Sequence, residues 1–291
     1  MKKLLQPHME NKKEKADDAA LRGIITSRKD RVILWILLGL LALCFLFPMF
    51  AAIVKSFEIN GLGNYWALFT EPIGSVPIWL TYVNSLAIGA LHAIIVVSIA
   101  TLAGFAFSKL VFAGRDVYFS LVLFFLAVPA VALIVPVYRV TQEVGMFNTY
   151  LGVALPEAAL TLPFGVLLMR NAGKNVPNSL MEAARLDGAA NGRVFFSVFL
   201  PLARPSVVNL TILCFVWSMQ DFLWPSFIFT DPNKATAAQA VQTFSNSLGR
   251  GVADLAKYNA SLVLLAVPAV FFVVFGLRFI VNGMSSGAVK E

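Results

Sequence analysis

Six apolar stretches of about twenty residues each punctuate this chain, and the segments between them hold nearly all of its charge. They run from roughly Val32 to Val54, Tyr82 to Phe107, Val117 to Tyr138, Tyr150 to Met169, Pro205 to Phe229 and Tyr258 to Leu277. Helices of this length match the hydrocarbon core of a bilayer. Backbone groups cannot stay unpaired in hydrocarbon, and the runs are far longer than barrel strands. The pattern therefore predicts an all-α membrane protein of six transmembrane helices. The second span has the softest start, because no charge occurs between Glu71 and Lys109, and Pro72 to Leu80 reads as an interfacial segment. Pro129 and Pro136 free backbone carbonyls inside the third span and are expected to bend it.

Composition agrees with this pattern. The chain is 58% hydrophobic and 13% charged, with a mean hydropathy of +0.77, whereas a soluble domain carries roughly 25% charge. The formal net charge of +7 raises nucleic acid or anionic lipid as partners, but its distribution follows the membrane. Nine basic residues precede the first span: Lys2, Lys3, Lys12, Lys13, Lys15, Arg22, Arg28, Lys29 and Arg31. Lys109 and Arg115 follow the second span, Arg170, Lys174, Arg185, Arg193 and Arg204 the fourth, and Arg278 and Lys290 the sixth. The opposite side holds Lys55, Arg139, Lys234, Arg250 and Lys257. This bias places both termini and the segment between spans four and five in the cytoplasm. No nucleic-acid role is implied.

The resulting organisation is a cytoplasmic tail (1–31), a six-helix membrane domain (32–281) with a long loop at about 171–204, and a cytoplasmic tail (282–291). A polar tail of about 30 residues before an apolar run of this length argues against a cleavable signal peptide. Cys44, Cys214, His8 and His92 have no zinc or redox spacing, so no metal site is expected. No Gly-x4-Gly-Lys-Ser/Thr loop occurs, and no nucleophile, base or paired-carboxylate arrangement marks a catalytic site.

The loop between spans four and five is more than a connector. Ser179 followed by Glu182 has capping-box spacing behind Pro177, which predicts a short helix beginning at Leu180 and ending near Gly188. A second helix is expected from Asn191, as its cap, to Leu200, halted by Pro201, with Val194, Phe195, Val198 and Phe199 on one apolar face. Two readings fit: a compact docking knob, or an amphipathic loop resting on the bilayer.

Polar groups inside apolar runs are costly, by roughly 2.5–3.5 kcal/mol for a central charge, and mark candidate translocation paths. Glu157 and Asp221 are the acids so placed; Gln220, Trp217 and Tyr138 add hydrogen-bonding and stacking surface suited to a sugar. Asn84 and Asn209 read rather as interhelical hydrogen-bonding groups, which is also the alternative for the others. The outward loop Asp231 to Lys257, rich in Ala, Gln, Ser and Asn, is expected to be partly ordered and to meet a substrate-binding protein or serve as a connector.

The stretch Glu182-Ala183-Ala184-Arg185-Leu186-Asp187-Gly188-Ala189, followed by Leu200-Pro201-Leu202 and Pro205, resembles the EAA loop of bacterial ABC importer permeases. Leu162-Pro163-Phe164, Leu167 to Arg170, Trp217 with Asp221 to Pro225, and the ending Gly283 to Lys290 are similar to the carbohydrate branch, on the side of the smaller permease subunit of maltose-type importers. Ser218-Met219-Gln220 departs from that branch's Trp-Asn-Asp pattern, and Arg278 replaces a frequent Gln. The resemblance implies a type I permease fold in the bacterial inner membrane and no catalysis or cofactor in this chain. ATP and Mg would reside on a dimer of ATP-binding subunits. Glu182, Ala183, Ala184, Asp187 and Gly188 would couple to those subunits, with Gly283, Gly287 and Lys290 in a tail directed toward them. A second, similar permease and an extracytoplasmic binding protein complete the implied partners. Solutes of this branch include oligosaccharides, polyols and glycerol phosphate. A self-sufficient secondary transporter, the competing class, would show repeated halves or paired broken spans.

Overall fold

The computed structural model describes residues 28–71, 76–247 and 251–288. Its regular elements are helical: α1 (Arg28–Ser56), α2 (Gly63–Thr70), α3 (Ile78–Lys109), α4 (Arg115–Phe124), α5 (Ile134–Glu143) and α6 (Tyr150–Asn175). They continue as α7 (Asn178–Leu186), α8 (Asn191–Val194), α9 (Leu200–Gln220), α10 (Leu223–Ile228), α11 (Ala237–Ser247) and α12 (Val252–Ala288). The chain divides into two compact units, residues 1–54 and 55–291. In the first, α1 exposes apolar side chains on every side, Trp35, Phe45 and Phe50 among them. A helix apolar all round is built for lipid or for other membrane helices.

Among the described residues five helices are long and apolar enough to cross a bilayer, or six spans if one bent pair counts as a single span. That pair, Arg115–Ala127 and Ala130–Glu143, turns by 92°. The cause is Pro129. The residue before a proline is pushed out of helical conformation, and Val128 is extended at φ −79°, ψ 118°. Pro136 does not contribute to the break, contrary to expectation. It falls in the first turn of α5, where an N–H has no intrahelical partner to lose.

The fifth span is also interrupted. A continuous helix to Phe229 was expected, but α9 ends at Gln220 and Asp221 is extended at φ −73°, ψ 124°. The Leu223 N–H donates to Asp221 Oδ1 at 2.8 Å. This local turn offers the backbone an alternative to helix. The second span begins at Ile78, earlier than its apolar run suggested, with Pro77 just before it.

Helices α3 and α6 approach so closely that glycine is required between them. A Cβ on Gly104 would lie 2.4 Å from Met169 Cβ, and one on Gly173 2.1 Å from Ser108 Oγ. Around that contact, α9 adds Leu210 and Cys214 to a core holding Val96, Ala100, Phe105, Val166 and Met169. A second core joins Ile88, Val153, Ala154, Trp224 and Ile228. Beyond it, Asn84 donates to the Asn233 and Ala235 carbonyls (2.8 and 2.9 Å) and accepts from the Tyr150 hydroxyl (2.6 Å). Asn84 thus bonds between helices through Tyr150, as expected, and also ties α3 to the 233–235 turn, which was not expected; Asn209 is half-buried on α9.

The opposite end collects basic residues. Arg170 pairs with Asp116 at 3.4 Å and lies over the Phe119 ring, 3.8 Å from its centroid. Lys109 donates to Val176 O (2.5 Å) and Asn178 Oδ1 (2.7 Å). The segments after spans two and four therefore share one end of the bundle, as the charge bias requires.

Candidate functional site

Two regions carry the sequence-predicted site residues. The first is the knob between α6 and α9. Here α6 runs on to Asn175, past the expected end at Met169, so the non-helical part of the 171–204 segment is short. Pro177, at φ −61° and ψ 133°, turns the chain, and α7 starts at Asn178 with no side-chain cap. The expected Ser179–Glu182 capping box is therefore not formed. A capping serine needs non-helical backbone, and Ser179 is already in the first turn. Lys109 grips this turn from α3 instead.

The end of α7 follows expectation. Gly188 has φ +81°, its N–H donates to Arg185 O at 3.0 Å, and the Ala189 N–H donates to Ala184 O at 2.9 Å. This pair of bonds closes a helix through a left-handed residue, a conformation glycine adopts without a Cβ penalty. Helix α7 turns Met181 inward at 3% exposure, while Ala184 packs partly on the first core. Glu182, Ala183, Leu186, Asp187 and Gly188 are exposed. The alanine pair is thus split, one facing the core and one facing outward. Leu186, at 89% exposure, was missed as a site residue. Its spacing from Glu182 and Ala183, at i+4 and i+3, puts all three on one face.

The second knob helix differs from expectation at both ends. Ala190, not Asn191, precedes the first helical residue. Pro201 does not halt the helix, because Phe195–Phe199 form a π turn that leads directly into α9. The widened turn accommodates a ring and a missing N–H that would break a regular helix. Val194, Phe195 and Phe199 are buried as the apolar face predicted, with Val198 packed partly against the same core. Gly283 and Gly287 lie inside α12, which runs to Ala288 rather than ending before residue 282; Lys290 lies outside the described residues.

The second region is a cavity of ≈ 300 Å³ between α3, α6 and the α9–α10 break, with Ala130 at its edge. Glu157, Trp217, Gln220 and Asp221 all line it. Tyr138 does not: it stacks edge-on against Phe147 at 5.3 Å and receives a hydrogen bond from Gln142. Glu157 is 5% exposed and accepts from the Ser218 hydroxyl through Oε2 at 2.6 Å. Its Oε1, like Asp221 Oδ2, meets no amide or hydroxyl donor among the described residues, and the two carboxyl groups stand within side-chain hydrogen-bonding reach of each other.

His92, Thr161 and Ser218 also line the cavity and were not singled out in the sequence. His92 is fully buried, with Nδ1 3.0 Å from Cys214 O and Nε2 2.8 Å from Thr161 Oγ1. A carbonyl only accepts, so Nδ1 carries a proton. Neither bond was readable from a lone histidine in an apolar run. Among the described residues no group of His, Cys, Asp and Glu is arranged to hold a metal ion.

Residues 97–284 match the profile of the binding-protein-dependent transport system inner membrane component. The chain belongs to that family. It is 31% identical over 244 residues to the osmoprotective compounds uptake permease protein GgtD of Synechocystis sp., covering 78% of this chain and 80% of that one. It is 29% identical over 227 residues to the trehalose transport system permease protein SugB of Mycobacterium tuberculosis, covering 78% and 81%. Among solved structures, a bacterial ABC transporter that imports the acidic polysaccharide alginate superposes with a TM-score of 0.72 at 20% identity, over 87% of this chain and 98% of that one. The fold is accordingly that of a type I ABC importer permease, and the protein is a multi-pass inner-membrane transport component.

Proposed function

We propose that this permease is a transmembrane subunit of an ATP-driven sugar or oligosaccharide importer, with no catalytic site of its own. The observation that carries the reading is the knob: a short helix braced from α3, ended through Gly188, and presenting Glu182, Ala183, Leu186 and Asp187 outward. A small-residue face beside one exposed leucine is a surface another backbone can approach closely. The occupant proposed for it is an ATP-binding subunit, whose closure would drive the bundle between inward- and outward-facing states. Both termini and the knob are assigned to the cytoplasm, supported by the basic end that Lys109 and Arg170 share. Gly283, Gly287 and Lys290 are assigned to a tail directed toward the ATPase. A similar second permease would complete the path and an extracytoplasmic binding protein would deliver solute; ATP and Mg belong to the partner subunits. The sugar class is supported by the trehalose permease relative and by the two indoles and the hydrogen-bonding side chains that line the cavity.

Affinity purification of the tagged chain from its native membrane tests this reading. An ATP-hydrolysing subunit and a second permease are expected to come with it, and solute uptake by the reconstituted complex is expected to require ATP. Uptake by this chain alone, driven by an ion gradient, would overturn the proposal.

A further inference from the structure

Helix α2 has two faces, and only one of them is used within the chain. Leu68 is buried with Ile78 of α3 and Ala260 of α12. One turn earlier, Asn64 donates through Nδ2 to Ser56 O (2.9 Å) and Glu58 O (3.0 Å), and the Tyr65 hydroxyl lies 2.7 Å from Ser56 Oγ. Glu71, which ends the helix, pairs with Lys257 of α12 at 2.9 Å. These contacts fix α2 beside Ser56 and Ile78, where the first span ends and the second begins. The face turned away from them is a stripe of Leu62, Trp66 and Phe69 at i, i+4 and i+7, each between 54% and 73% exposed. The preceding turn adds Phe57 and Ile59, also exposed. Ile59 has φ +65°, a backbone that is a genuine outlier for a β-branched residue, and the Asn64 bonds across this turn hold it there.

We propose that the stripe Leu62, Trp66 and Phe69 is a lipid anchor, lying in the outer leaflet at the boundary of headgroups and acyl chains. Its position at the ends of two spans sets it at the membrane surface. Trp66 has a counterpart in Trp79, exposed in the first turn of α3, and indole rings favour this boundary because one end is apolar and the other wet. No lysine or arginine occurs between Lys55 and Lys109, so the anchor holds by apolar area rather than by attraction to anionic headgroups. Helix α11 provides the contrast. Its Phe244 packs on the same core as Leu68, yet its exposed side chains are Gln242, Thr243 and Asn246, a face suited to water and to an aqueous partner. The anchor gives the ends of the first, second and sixth spans a common level at the membrane surface. Its assignment to the outer leaflet rests on the orientation proposed above; the lipid contact does not.

The test reads the depth of the stripe directly. In a chain carrying Cys44→Ser and Cys214→Ala, a nitroxide is attached through Leu62→Cys, Trp66→Cys or Phe69→Cys, and through Gln242→Cys on α11 as the aqueous reference. Three separate stripe positions keep the test open should one variant assemble poorly. The complete transporter is placed in phosphatidylcholine nanodiscs. Power-saturation EPR then measures collisions of each label with oxygen, which concentrates in lipid, and with a water-soluble nickel chelate. The oxygen-to-nickel ratio on the stripe is expected to be several-fold above the reference, with the labels roughly 5–10 Å into the headgroup and acyl boundary. The same depth is expected when phosphatidylglycerol is added. A ratio equal to the reference, the sign of a stripe that faces water or docks a protein from the aqueous side, would overturn the anchor. Few collisions with either reagent, the sign of cover by another membrane subunit, or a depth reached only with phosphatidylglycerol would overturn it as well. The labels report without ATP, solute or a binding protein, so the anchor fails or succeeds separately from the importer reading.

Discussion

Replacing Gly188 with valine is expected to cut ATP-driven uptake sharply while the protein still inserts and assembles in the membrane. Gly188 sits at φ +81° with nothing within 4 Å of where a Cβ would be, so the objection to a side chain is conformational rather than steric crowding. A left-handed backbone costs an ordinary L-residue roughly 1–2 kcal/mol, and a β-branched residue is a true outlier there. Valine therefore favours a different chain path at the end of α7. Leu186 and Asp187 lose the position that the bonds from Gly188 and Ala189 back into the helix now hold. Because the knob's other surfaces bury into the bundle through Met181 and Val194, the damage stays local. Uptake is expected to drop by about tenfold or more, the factor that corresponds to this conformational cost, with normal amounts of membrane protein. Gly192→Val serves as the control, since Gly192 has no positive φ and nothing within 4 Å. Normal uptake by the Gly188 variant would count against the knob as a coupling element.

Gly104→Val is expected to have the larger effect on folding. Its Cβ would lie 2.4 Å from Met169 Cβ, 2.7 Å from the Met169 carbonyl carbon and 2.9 Å from Arg170 N. Two of those atoms are backbone, so no rotamer change relieves the clash and α3 must separate from α6. Overpacked cores commonly lose about 1–3 kcal/mol and occasionally more. This site belongs at the upper end, because the helix pair also positions Val96, Ala100 and Val166 in the first core. Thermal unfolding followed by size-exclusion chromatography is expected to show loss of the monodisperse species at a clearly lower temperature. Gly39→Val, with nothing within 4 Å on α1, is expected to change stability by no more than about 0.5 kcal/mol. Equal stability of the two variants would contradict the close α3–α6 packing.

Much of this architecture was legible in the sequence because the bilayer imposes simple rules. Length and apolarity located the spans, and basic residues grouped the right loops at one end. Gly188 was recognisable because an Ala-rich segment ending at glycine has few other ways to stop. The misreadings came where a local bond or a distant neighbour decides the backbone. Asp221 looked like a mid-helix acid; its carboxylate instead takes the Leu223 N–H and opens the helix. Pro201 looked like a stop signal, but the π turn before it absorbs the proline. Ser179 looked like a cap, and Pro177 had already placed it inside the helix. The cavity gathers residues from separate helices, so Glu157 and Asp221 were visible as costly acids, whereas His92, Thr161 and Ser218 became meaningful only once the helices met. Tyr138 lies outside this cavity, against Phe147, a placement its sequence position did not reveal.

The most direct measurement places a benzophenone amino acid at position 186 and irradiates the intact transporter in native membranes. A covalent adduct with the ATP-hydrolysing subunit is predicted, formed in vesicles that expose the cytoplasmic face and lost when that subunit is stripped away. A label at this position that reacts only with lipid, or that a membrane-impermeant reagent reaches from the outer face, would contradict the account.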